Sequence, residues 1–92
     1  MPMTILDVKP EWVAAGRYTA AADVDVNLCN SSTAFNARWT TTADNSDPQI
    51  AVSQGNPLPK DSDKAMSLPN GARLWVASVS GEGDFIGVEV MP

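Results

Sequence analysis

The residue types that most often build active sites are nearly missing from this sequence, which has no histidine and a single cysteine, Cys29. A Ser, Thr or Cys nucleophile needs a base within hydrogen-bond reach, usually histidine, so the common triads are excluded. Cys29 stands in Leu28-Cys29-Asn30 with no paired cysteine nearby, which is the setting of a small strand residue rather than a reactive thiolate. Carboxylates remain. Asp23 and Asp25 project from one face of an extended segment, the arrangement a general acid and base would need, but it is also how a solvated strand looks. Asp44 with Asp47 and Asp61 with Asp63 offer oxygen ligands for Ca²⁺, yet none of these pairs has the EF-hand spacing, and loop aspartates more often serve turns. Asn30-Ser31-Ser32 fits the glycosylation pattern without a secretory signal to make use of it. The sequence therefore predicts no catalytic residue, no metal, no cofactor and no enzyme.

Aromatic side chains are the other chemistry on offer. Trp39 and Trp75 fall inside alternating apolar patterns, where core packing accounts for them. Trp12 follows Pro10-Glu11 outside any clear alternation. Trp12 and Tyr18 are accordingly the candidate interface residues, as anchors between subunits. The competing readings make them a stacking platform in a carbohydrate-binding module or, for Trp12, place the ring in the protein's own core.

Strands are what must position these groups. Seven prolines and six glycines cut the chain into short pieces with period-2 alternation between them. Val24, Val26 and Leu28 share one face while Asp23, Asp25 and Asn27 take the other; Phe35, Ala37 and Trp39 alternate with Asn36, Arg38 and Thr40. These neighbours read as one hairpin. Residues 73–79 and 85–91 read as a second hairpin around Ser80-Gly81-Glu82-Gly83-Asp84, and Arg73–Val79 reads as a central strand because both its faces are apolar. Gln49–Ser53 suggests a short strand with Ile50 and Val52 inward, and Gln54–Lys64, rich in proline and charge, a long connection between sheets. Ala65–Leu68 ends at a Pro69-Asn70-Gly71 turn. Trp12–Ala14 and Arg17–Ala20 offer a pairing across Ala15-Gly16, and residues 1–10 an N-terminal arm. The expected fold is all-β: one domain over residues 1–92, a small β-sandwich or barrel of about six to eight short strands with Greek-key or jelly-roll connections.

Eleven acidic residues against six basic ones give a net charge of −5, and Lys9, Arg17, Arg38, Lys60, Lys64 and Arg73 are scattered along the chain. Without a basic cluster, nucleic acid and anionic membranes are not the expected partners. The start of the chain shows neither a basic n-region nor an apolar h-region, and no stretch of about 20 apolar residues follows, so synthesis in a cytoplasm is expected. A domain of 92 residues with no disulfide or zinc site to staple it gains from association with further copies, as a dimer or trimer.

Three segments carry a resemblance to a known group: the Asn-Ser turn after a Val-rich strand (Val24 to Ser32), the Gly-Asn-Pro-Leu loop (Gly55 to Leu58), and Asn-Gly-Ala-Arg-Leu-Trp-Val (Asn70 to Val76). With the glycine-turned C-terminal segment, the stretch from Val24 to Val90 resembles small structural proteins of tailed bacteriophages, in particular capsid decoration or cement proteins. The resemblance implies a virion protein, made in the host cytoplasm, that oligomerises on the head and binds a major capsid protein through its N-terminal arm and the loops at one end. A tail or baseplate component of the same architecture is the neighbouring alternative.

Overall fold

The computed structural model describes residues 3–30, 36–43, 47–78 and 84–91. The chain is all-β, with eight strands: β1 (Met3–Val8), β2 (Arg17–Thr19), β3 (Val24–Asn30), β4 (Ala37–Thr42), β5 (Asn56–Leu58), β6 (Ser62–Leu68), β7 (Arg73–Ser78) and β8 (Asp84–Met91). They form two four-stranded sheets, the first ordered β1-β8-β3-β6 and the second β2-β7-β4-β5. Every ladder is antiparallel.

One geometric idea generates this order. Pairing β1 with β8, β2 with β7, β3 with β6 and β4 with β5 makes the whole chain one long hairpin whose tip lies between β4 and β5. Rolling that hairpin up adds the ladders β3–β8 and β4–β7 and splits it into two facing sheets. This is a jelly roll, an architecture also found in viral capsid and lectin domains.

The roll-up corrects both expected hairpins. β3 and β4 lie in different sheets, as do β7 and β8, so neither pair shares a ladder. Strands adjacent in sequence pair often enough to make the hairpin a natural reading, but here β4 and β5 are the sequence neighbours that pair. Residues 1–10, expected as an arm, contain β1, zipped along β8 from Met3↔Glu89 to Val8↔Asp84. The proposed pairing of Trp12–Ala14 with Arg17–Ala20 is replaced by a 3-10 turn at Ala14–Gly16, and β2 pairs with β7 instead. Gln49–Ser53 is no strand: Ile50 is exposed and a 3-10 turn occupies Val52–Gln54. The Gln54–Lys64 connection does cross between sheets, but it contains β5 and the start of β6. Pro57 is compatible with a ladder because β5 is an edge strand, where a missing amide donor costs little.

Alternation is what buries the core. Leu6, Val8, Val26, Leu28, Leu68, Ile86 and Val88 from the first sheet meet Ala37, Leu58, Leu74 and Val76 from the second, with Ala20 and Ala72 closing one end. That end is fixed by backbone bonds: the Ala20 amide donates to the Ala72 carbonyl at 2.9 Å and the Gly71 amide to the Ala20 carbonyl at 2.9 Å. Gly71 has a φ of 87°, as the Pro69-Asn70-Gly71 turn requires. At the opposite end Asn30, buried at the tip of β3, donates from Nδ2 to the carbonyls of Leu58 and Pro59 at 3.1 and 3.3 Å, tying the β5–β6 connection to the first sheet. The smallest Cα extent of the molecule, 18 Å, fits two sheets stacked about 10 Å apart.

Gly16 marks the closest approach between the β1–β2 connection and β7, since a Cβ there would stand 2.6 Å from the Val76 carbonyl oxygen. Both groups are backbone, so the overlap is relieved by moving a strand. Gly16→Ala is expected to lower unfolding free energy by about 1–3 kcal/mol, read as a reduced urea midpoint with an unchanged slope; Gly71→Ala, strained in φ alone, should cost about 1 kcal/mol.

Candidate functional site

β7 accounts for the placement of most aromatic groups. It is interior to the second sheet, and both its faces are buried, as its sequence predicts. Leu74 and Val76 point into the core, while Trp75 and Ala77, at 2% and 0% exposure, lie on the outward face. Trp75 is held there by its neighbours: its Nε1 donates to Thr42 Oγ1 at 3.0 Å, and the Arg17 guanidinium sits 5.2 Å from the ring centroid, in cation–π range.

Trp12 belongs to the same outer layer. Its Nε1 donates to the Ile50 carbonyl at 2.8 Å, and its ring packs on Gly55, where a Cβ would lie 3.0 Å from Trp12 Cη2. Arg38 completes the cluster, with Nη1 donating to the Gly55 carbonyl at 3.1 Å. The indole thus clamps the β4–β5 connection over the second sheet of its own chain, leaving the ring half-buried. Tyr18 lies opposite Leu74 on β2 and packs, half-buried, against the core. The two candidate interface residues are therefore on different sides of the second sheet, and the structure does not bring them together. Trp39 also packs against the core, and with Thr41, Met66, Leu68, Pro69 and Ala72 it lines a cleft of about 300 Å³ between the sheets. Its lining is mainly apolar, better suited to an apolar side chain than to a sugar's hydroxyls.

The carboxylate pairs take local roles. Asp23 Oδ1 accepts from the Asn70 amide at 2.7 Å, which locks the β6–β7 turn, and Asp25 Oδ1 accepts from Ser67 Oγ at 2.6 Å across the β3–β6 ladder. Asp61 occupies a turn at φ 55°, and Asp63 accepts from Asn27 Nδ2 at 3.2 Å. Asp44 lies outside the described residues. Among the described residues no group of three or more metal-ligating side chains converges, and no helix is long and apolar enough to cross a membrane.

Cys29 sits half-buried on the outward face of the first sheet, opposite Gly87 on one side and Asp63 on the other. Burial pushes its thiol pKa up, the charges of Asp63 and Glu89 push it further, and a hydrogen bond from Asn27 opposes them. Its surroundings on balance favour the thiol over the thiolate.

What the sequence did not reveal is the contrast between the two outer faces. The first sheet turns Ile5, 58% exposed, together with exposed Asp25, Asp63, Ala65 and Ser67 to solvent, and nothing among the described residues covers them. The second sheet is dressed by Trp12 and the β4–β5 connection. No protein-family model, curated protein or solved structure matches this chain.

Two outcomes check these placements. Trp12→Phe loses both the bond to Ile50 and the outer ring carbons that rest on Gly55, so stability should fall by about 1–3 kcal/mol in denaturant titration with no change in solution mass; a lost oligomer instead would return Trp12 to a subunit interface. Alkylation of Cys29 should lag behind that of a free cysteine at the same pH, and Asp63→Asn, by removing a charge that raises the pKa, should increase the thiolate fraction and the rate.

Proposed function

We propose that this chain is a non-enzymatic structural protein of a virion, a decoration or cement protein that assembles on the outer surface of a phage head and stabilises it. The observation that carries this reading is the bare outer face of the first sheet. It is broad, set on paired strands rather than on loops, and exposes Ile5 amid polar and acidic groups. Such a surface suits contact with another protein surface. The resemblance of residues 24–90 to cement proteins supports the location, and a jelly-roll strand order agrees with it by analogy of fold.

The C-terminal ends of β1, β3, β5 and β7 lie together at one end of the sandwich, opposite the Ala20–Ala72 end. In this reading the outer face of the first sheet meets the head. Binding to purified tailed-phage heads tests it. Saturable co-sedimentation, with heads that resist heating better when decorated, is the expected result. Failure to sediment with heads, together with tryptophan fluorescence quenched saturably by oligosaccharides, would sink it in favour of a carbohydrate-binding module.

A further inference from the structure

Asn70 is the one asparagine of the chain that precedes a glycine; Asn27, Asn30, Asn36, Asn45 and Asn56 precede Leu28, Ser31, Ala37, Ser46 and Pro57. An asparagine side-chain amide is open to attack by the backbone nitrogen of the residue that follows it. The attack is least hindered where that residue has no Cβ and turns freely. Pro57 has no amide proton to lose, and in the other four pairs a Cβ stands beside the attacking nitrogen. The Asn70-Gly71 pair is where this chemistry is nearest, and both residues are exposed to the water that completes it.

The fold holds the pair back. Gly71 N, the atom that must attack, donates to the Ala20 carbonyl at 2.9 Å, and Ala20 N donates in turn to the Ala72 carbonyl at 2.9 Å. Asn70 N is bound to Asp23 Oδ1 at 2.7 Å, and Ala72 N to the Pro69 carbonyl at 3.0 Å. With Gly71 at φ 87°, that last bond makes residues 69–72 a type II turn. A backbone nitrogen becomes a nucleophile when its proton has gone. Bonded and fixed in this turn, Gly71 N neither loses its proton readily nor swings onto Asn70 Cγ, so reaction waits for local opening.

We propose that Asn70 is a self-modification site that the closed Ala20–Ala72 end keeps latent and that opening of this end releases. Once Gly71 N has given its proton to solvent base, it bonds to Asn70 Cγ. The bond from Cγ to the side-chain nitrogen breaks, that nitrogen leaves as ammonia with a proton from water, and a five-membered succinimide remains. Water then opens the ring at either carbonyl, to an aspartate or to an isoaspartate whose backbone runs through the side-chain carbons. Nothing is oxidised or reduced, and water is the co-reactant throughout. Either product sets a new negative charge beside Asp23, whose Oδ1 accepts from the amide of residue 70, and like charges disfavour that contact. The isoaspartate also adds a carbon to the backbone between the Asn70 and Gly71 amides, which breaks the register of the bond to Ala20. Ala20 and Ala72 belong to the core, so the modified end closes less well and each opening that reacts leaves a lasting mark. This inference does not rest on binding to a head.

Incubation of the intact chain at mildly alkaline pH, in buffer and in concentrated guanidinium chloride, tests it. Mass spectrometry of the tryptic peptide 65–73 reads the change from amide to acid, and labelling by an isoaspartate methyltransferase reads the isomer. In denaturant, Asn70 should react ahead of the other asparagines. In buffer the same change should be slower by at least about tenfold, because the reactive form is then the small open population. Asp23→Ala removes the acceptor of the Asn70 amide and leaves the reacting pair intact, so it should speed the change in buffer and leave the rate in denaturant as it was. Chain recovered after modification should show a lower urea midpoint than fresh chain. Equal rates in buffer and denaturant, no reaction in denaturant, another asparagine reacting first there, or a folded Asp23→Ala variant that reacts no faster would each overturn the proposal. If circular dichroism shows that Asp23→Ala has not folded, the comparison of buffer with denaturant on the unaltered chain decides.

Discussion

Everything in this molecule depends on the contact between the inner faces of its two sheets. A chain of 92 residues with one cysteine has no covalent staple, so the burial of Val26, Leu28, Ile86 and Val88 against Leu58, Leu74 and Val76 must supply most of the stabilisation. At about 1.5–3 kcal/mol for each fully buried aliphatic side chain, that row offsets much of the entropy of ordering the backbone. It also fixes register. A one-residue slip in β3 would turn Val24, Val26 and Leu28 outward and bring Asp25 and Asn27 into the core, which is why alternation so strict tolerates such irregular connections.

The roll-up has a consequence for the outer faces. When a long hairpin curls into two sheets, residues far apart in sequence come to share one surface: Arg17, Arg38 and Arg73 on the second sheet, Asp25, Asp63 and Glu89 on the first. The two faces then receive different treatment. The β4–β5 connection and Trp12 cover part of the second sheet and bury Trp75 and Ala77, adding a thin apolar layer outside the sandwich. The first sheet has no such layer among the described residues, and the exposure of Ile5 follows from that.

Polar groups hold the ends rather than the middle. Asn30 is buried where β3 stops and donates to the carbonyls of Leu58, at the end of β5, and Pro59, just after it. Asp23 does the corresponding work at the other end by accepting from the Asn70 amide. Both bonds span long stretches of sequence, so each closes the sandwich only after the strands have met. That order of events suits a topology whose ladders are mostly non-local.

Local pattern determined the all-β class, the faces of β3, the turn at Gly71 and the two-sided burial of β7, because alternation, positive φ and apolar runs are properties of neighbouring residues. It also excluded a histidine-based active site. Which strands pair was not legible. β3 with β4 and β7 with β8 have every local mark of hairpins, and only the competition for a shared core sends their members to opposite sheets. For the same reason Trp12, which breaks the alternation, reads in one dimension equally as an outward anchor or as packing in its own chain, and only in three dimensions does it clamp Gly55 and Ile50. Charge distribution was the least legible property, since it depends on the pairing of all eight strands at once: composition gives the net −5, but the collection of Arg17, Arg38 and Arg73 on one sheet and of Asp25, Asp63 and Glu89 on the other exists only after the hairpin has rolled up.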